Sequence, residues 1–181
     1  MRRSLIAALA LAALVTGCAL SRVSSADPAQ IPDGPLEPID GGDEPTGPLT
    51  EVGRGRSLGH GWRYVAYETA AGMCTRFEMA SVTGGSCGQA PGEDAGTFAG
   101  VGHSESSGSP VTVDGTVGED AAQVWVELAD GGRVAATLMS LEPAGLPGSA
   151  FVAFAPEGSG VSRVVAIGSD GSELSEMGLG H

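Results

Sequence analysis

Three cysteines, three histidines and one serine-centred motif hold most of the chemistry open to this sequence. Cys74 and Cys87 are too far apart for a redox dithiol, which uses C-x-x-C so that one thiol lowers the pKa of the other. They are also too few for structural zinc, which takes four protein ligands. The pair therefore reads as a disulfide, with Thr83-Gly84-Gly85-Ser86 as the fold-back between them. Closing such a loop contributes about 3 kcal/mol. His60, His103 and the terminal His181 show neither H-x-H nor H-E-x-x-H spacing and read as exposed loop residues, with no metal site. Gly102-His103-Ser104-Glu105-Ser106 falls short of the G-x-S-x-G nucleophile elbow. Its last glycine is missing, and its Gly/Ser-rich surroundings lack the strand-to-helix context that exposes the nucleophile.

Carboxylates add little more. Glu93, Asp94, Glu105, Glu119 and Asp120 read as solvated loop charge rather than a glycosidase pair, which needs a defined separation. Asp40-Gly41-Gly42-Asp43-Glu44 offers too few ordered oxygens for calcium. The sequence contains no P-loop or dinucleotide fingerprint, so no cofactor is implied.

Cys18 stands in a different setting. Arg2-Arg3 precede an uncharged apolar run from Leu5 to Val15. Eleven helical residues span about 16 Å, against about 30 Å of hydrocarbon core, which suits a signal-peptide h-region rather than a permanent span. The run ends in Val15-Thr16-Gly17-Cys18. This segment resembles the lipobox of bacterial lipoproteins: an aliphatic residue, a small one, Gly or Ala, then Cys. The resemblance covers residues 1–19, with Val15 where Leu is more usual. It implies that Cys18 takes a diacylglyceryl group and becomes the mature N-terminus after cleavage at Gly17. Val15, Thr16 and Gly17 would then be the signal-peptidase recognition residues. Acyl chains anchor stably because each buried CH₂ contributes about 0.8 kcal/mol. The overall usage of Gly, Ala, Val and Arg, with no Lys, resembles exported proteins of GC-rich bacteria such as actinobacteria.

The net charge is −13. An acidic surface repels phosphate backbones, which excludes nucleic acid as a partner. It also argues against electrostatic adhesion to anionic headgroups, leaving lipid as the route to the membrane.

These residues need elements to position them. Residues 18–53 are rich in Pro, Gly and carboxylates without apolar periodicity, and read as a disordered acidic tether. Extended at about 3.1 Å per residue, it would reach roughly 100 Å from the lipid. Residues 54–175 read as an all-β domain, with 176–181 a flexible tail. Short apolar stretches recur at 62–69, 73–82, 111–117, 122–129, 133–141, 149–155 and 161–168, separated by turn residues. Val164–Ile167 is continuously apolar, as a central strand requires. Asp130-Gly131 and Asp170-Gly171 are hairpin signals. This pattern predicts a small β-sandwich, immunoglobulin-like in architecture, with a small β-barrel as the alternative.

Val124, Val126 and Leu128 alternate with Gln123, Trp125 and Glu127, placing Trp125 outward as a binding anchor or beneath the 91–109 loop. Trp62, Tyr64 and Tyr67 are assigned to core and rim. The functional expectation is a membrane-anchored, extracytoplasmic, non-enzymatic binding or interaction module at the cell envelope, facing an envelope protein or wall polymer. The alternatives are an extracytoplasmic hydrolase with a loop-built site holding His60 or His103, and a structural accessory lipoprotein of an envelope complex.

Overall fold

The computed structural model describes residues 27–80, 82–91, 98–104 and 107–179. These residues are all-β, as expected, with three antiparallel four-stranded sheets and no closed barrel among them. The first sheet has the order β1 (Thr50–Ser57), β2 (His60–Thr69), β3 (Gly72–Met79), β4 (Val82–Gly88). The second has the order β5 (Phe98–Ser104), β6 (Val111–Val117), β10 (Ser149–Ala155), β9 (Thr137–Ser140). The third has the order β12 (Glu173–Gly178), β11 (Val161–Gly168), β7 (Ala121–Leu128), β8 (Arg133–Ala135).

The period of two along a strand explains how the sheets stack. On β10, Ala150, Val152 and Phe154 point one way, into a core with Trp62, Tyr64, Ala66, Phe77 and Met79 of the first sheet. Phe151, Ala153 and Ala155 point the other way, into a core with Val124, Val126, Val161, Val164 and Ala166 of the third. The second sheet is therefore a middle layer, buried on both faces through β10. Nearby Val111, Val113 and Val117 of β6 face the third sheet. The opposite face of β6 carries Thr112, Asp114 and Thr116, all buried.

The expected stretch 133–141 is two strands. It leaves the third sheet after Ala135 and enters the second at Thr137, with the Ala136 N–H donating to Val124 O at 2.9 Å on the way. The two Asp-Gly turns form as expected. Gly131 and Gly171 adopt φ of 86° and 83°, and each preceding Asp accepts the N–H two residues on, at 2.8 Å for Asp130 and 2.9 Å for Asp170. Thr83-Gly84-Gly85-Ser86 is not a fold-back but the body of β4; the chain reverses between Met79 and Val82, which pair with each other. At the C-terminal end, residues expected as tail are strand to Gly178, because β11 pairs with them as far as Arg163↔Gly178.

The segment expected as a spacer through residue 53 behaves in two ways. Residues 27–49 have no regular strand, as their composition requires, and β1 already begins at Thr50. Yet 27–49 does not stand off from the domain. It lies as a strap across the outer face of the first sheet. The Gly61 N–H donates to Pro28 O at 2.8 Å and the Thr46 N–H to Glu68 O at 2.9 Å, and the Ile39 N–H donates to the Tyr67 hydroxyl at 3.0 Å. At Gly61 the strap passes so close that a Cβ would fall 2.4 Å from Gln30 O. Under this cover Val65 and Tyr67 are fully buried.

Candidate functional site

Three places gather side chains with chemical potential: the floor under the strap, the crevice between β4 and β5, and the outer face of the third sheet.

Under the strap, Arg63, Arg76 and Glu78 come from β2 and β3, in which Arg63 and Glu78 are direct cross-strand partners. Arg63 Nε donates to Glu78 Oε2. Arg76 Nε lies 2.8 Å from Glu78 Oε1, close enough for an ion pair, although its N–H is not aimed at that oxygen. The guanidinium edges left over reach the strap: Arg63 donates to Gly34 O at 2.6 Å and Pro35 O at 3.1 Å, and Arg76 to Pro38 O at 2.6 Å. Proline carbonyls suit this role, since an extended Pro-rich segment leaves its acceptors free of internal hydrogen bonds. A cleft of about 400 Å³ remains between strap and sheet, rimmed by Asp27, Asp33 and Glu37.

The β4–β5 crevice opens where the edges of the first and second sheets run side by side. Ser86 Oγ donates to Gly100 O at 3.1 Å across it. Gly84, Gly85, Gly100 and Gly102 line a cleft of about 360 Å³ together with Phe77, Ser104 and Asp114. Asp114 is only 9% exposed. The Tyr64 hydroxyl, fully buried on β2, is 3.3 Å from its Oδ2. Burial pushes the Asp114 carboxyl up to about 7, against the Tyr64 hydrogen bond, which by itself would lower it. Burial and the neighbouring Asp114 charge in turn raise the Tyr64 phenol well above its ordinary value.

The outer face of the third sheet carries Trp125, half-buried, across from Val165 and Ala135. Its indole N–H donates to Gln123 Oε1 at 3.1 Å. Beside it Glu127 accepts from Arg163 and Arg133, each at 2.6 Å, and Arg163 also pairs with Glu176. The Arg163 hydrogen bond, seconded by Arg133, holds the Glu127 carboxyl below the usual carboxylate range.

The residues singled out in the sequence distribute as follows. Cys74 and Cys87 form the expected disulfide, as directly opposed partners on β3 and β4 with Cα atoms 4.1 Å apart. Asp43 approaches both sulfurs within 4.8 Å, but sulfurs bonded to each other offer no thiolate to a metal. Trp125 does face outward; β5, which takes up residues 98–104 of the 91–109 stretch, belongs to the second sheet. His60, expected in a loop, is the first residue of β2 and pairs with Ser57. His103, also expected in a loop, and Ser104 lie on β5 because β6 pairs with both, His103 opposite Val113 and Ser104 opposite Thr112. Alternation along β5 therefore sends the two side chains to opposite faces. Ser104 Oγ is 2.5 Å from Thr112 Oγ1 rather than beside an imidazole. Val15, Thr16, Gly17, Cys18, Glu93, Asp94, Glu105 and His181 lie outside the described residues.

Sequence reading passed over Asp114. Its signal was a lone carboxylate inside Val111-Thr112-Val113-Asp114-Gly115-Thr116-Val117, where the valines and threonines suit a buried strand. It also passed over Arg63, Arg76 and Glu78, whose alternation on two neighbouring strands brings them to one face. No family model, curated protein or solved structure matches this chain.

Proposed function

We propose that this chain is a lipid-anchored extracytoplasmic lipoprotein whose β domain is a non-enzymatic interaction module at the cell envelope. The observation that carries the reading is the run Val15-Thr16-Gly17-Cys18 after a charged and then an apolar segment. In this reading Cys18 bears the lipid and begins the mature chain. The Cys74–Cys87 disulfide supports it, since such bonds persist in oxidising, exported surroundings.

The order of layers supports display. The strap that leads back towards Cys18 covers the first sheet, whereas Trp125 stands on the outer face of the third, beyond the middle layer. With the strap docked from Asp27, the chain back to Cys18 spans at most about 30 Å, so the domain sits close above the bilayer with Trp125 on its distal side. A half-buried Trp within a rim of paired Arg and Glu has the make-up of a protein-binding hot spot. We therefore place an envelope protein, rather than a wall polymer, on this face.

Fractionation of cells expressing wild type, Cys18→Ser and Trp125→Ala tests both halves. The serine variant leaves the membrane fraction or stays uncleaved. The alanine variant stays membrane-bound but loses a crosslinked protein partner. Membrane retention of Cys18→Ser as a cleaved, mature-length chain contradicts the anchor. Identical crosslinks in Trp125→Ala, or binding to isolated wall sacculi in their place, contradicts the assigned face.

A further inference from the structure

The β4–β5 crevice joins a carboxyl nine-tenths buried, an aromatic wall and an opening lined by glycine. Asp114 lies at its floor with Oδ2 facing the Tyr64 hydroxyl, while no donor among the described residues reaches Oδ1. A Cβ on Gly102, which also lines the cleft, would stand 3.6 Å from that same Oδ1. A Cβ on Gly84 would meet nothing within 4 Å, so Gly84 borders open space. Phe77, the cross-strand partner of Gly84, supplies the wall.

We propose that this cleft binds a small organic cation, an ammonium or guanidinium group seated on Asp114 Oδ1 beside the Phe77 ring. Among the described residues Asp114 has no cationic partner, so the ligand supplies the missing countercharge. A buried charge without one is costly. An aromatic ring attracts the same ligand through its quadrupole. A volume of about 360 Å³ is ligand-sized, and the net charge of −13 draws cations towards the surface. The site stands independently of the lipid anchor and of the Trp125 face.

Ionisation of Asp114 gates the binding. With its carboxyl at about 7, the competent carboxylate is about tenfold scarcer at pH 6 than at pH 8. Among the described residues the other titratable groups at the cleft are Tyr64 from β2 and His103 from β5.

The test uses the full chain, ¹⁵N-labelled, titrated separately with propylammonium, ethylguanidinium and neutral propionamide at constant ionic strength. At least one of the cations shifts the amide signals of Gly84 and Gly102, with an affinity about tenfold weaker at pH 6 than at pH 8; propionamide does not. Asp114→Asn, which keeps an acceptor for Tyr64, weakens binding at least tenfold. Gly84→Val fills the open space on a strand that favours β-branched residues, and blocks binding without loss of Tm. His103→Gln keeps both affinity and pH dependence. The proposal is overturned if neither cation moves these signals in folded wild type, if propionamide moves them equally, or if Asp114→Asn binds as wild type does.

Discussion

The Tyr64 hydroxyl and Asp114 Oδ2, 3.3 Å apart and both buried, tie the first sheet to the second through a single carboxyl. That carboxyl makes stability depend on pH. Its folded-state value, about 7, lies above its ordinary 3.8. Below that ordinary value it is protonated in both states and costs nothing. As pH rises through the window between the two, the unfolded chain ionises while the folded one does not, and stability falls. The total loss is on the order of 4 kcal/mol, complete above the folded value. Urea unfolding of wild type and Asp114→Asn at pH 4 and pH 8 isolates this effect. The two proteins differ by less than about 1 kcal/mol at pH 4, just above the ordinary value, and the Asn variant is more stable by a few kcal/mol at pH 8.

Among the described residues Glu78 is the only carboxylate in contact with both Arg63 and Arg76 under the strap. Glu78→Ala leaves the buried Arg63 without a carboxylate and the half-buried Arg76 with only Glu37, at 3.9 Å, among the described residues, at a cost of about 3 kcal/mol. The clamp on Gly34, Pro35 and Pro38 loosens with it. Denaturant unfolding reads the first effect. Limited proteolysis reads the second as new cleavage within residues 27–49, absent from wild type.

Cys74 and Cys87 close a loop with a sequence separation of 13. Cys87→Ser, or reduction of wild type, lowers stability by about 3 kcal/mol. Calorimetry with and without reductant checks this: wild type shifts to lower Tm on reduction, and the serine variant does not respond.

Leu58 and Gly59 form the two-residue turn between β1 and β2 with φ of 49° and 81°, the twist of a type I′ hairpin. Leucine is a poor occupant of the left-handed region, and here it is 55% exposed, so it gains little from packing. Leu58→Asn creates the favoured Asn-Gly pair and raises stability by about 1 kcal/mol. A thermal melt of the variant against wild type is sufficient.

The strands legible in the sequence and those that escaped it divide by position in the sheets. β2, β3, β6, β7, β10 and β11, all interior to their sheets, show the apolar runs or alternation that burial demands. β1, β4, β5 and β12 were missed, and each is a sheet edge. An edge strand covers less core, so Val82-Thr83-Gly84-Gly85-Ser86-Cys87-Gly88 keeps its pairing to β3 with hardly an apolar pattern to announce it. The stretch 133–141 reads as one strand because its apolar residues continue through the point where the chain changes sheets. The strap misled for another reason. Its Pro-rich composition does forbid regular structure, but the Arg63 and Arg76 side chains that hold it down lie far along the chain. The cleft at Asp114 was hidden likewise, since it forms only where two edges that sequence reading left unassigned come together.

The most direct measurement of the central claim, export and anchorage through Cys18, is the intact mass and N-terminal peptide of the native protein extracted from membranes. The mature chain begins at Cys18, carries a diacylglyceryl group on its sulfur and contains the Cys74–Cys87 bond. A chain recovered from the cytosol that still begins at Met1, with all three cysteines as free thiols, contradicts it.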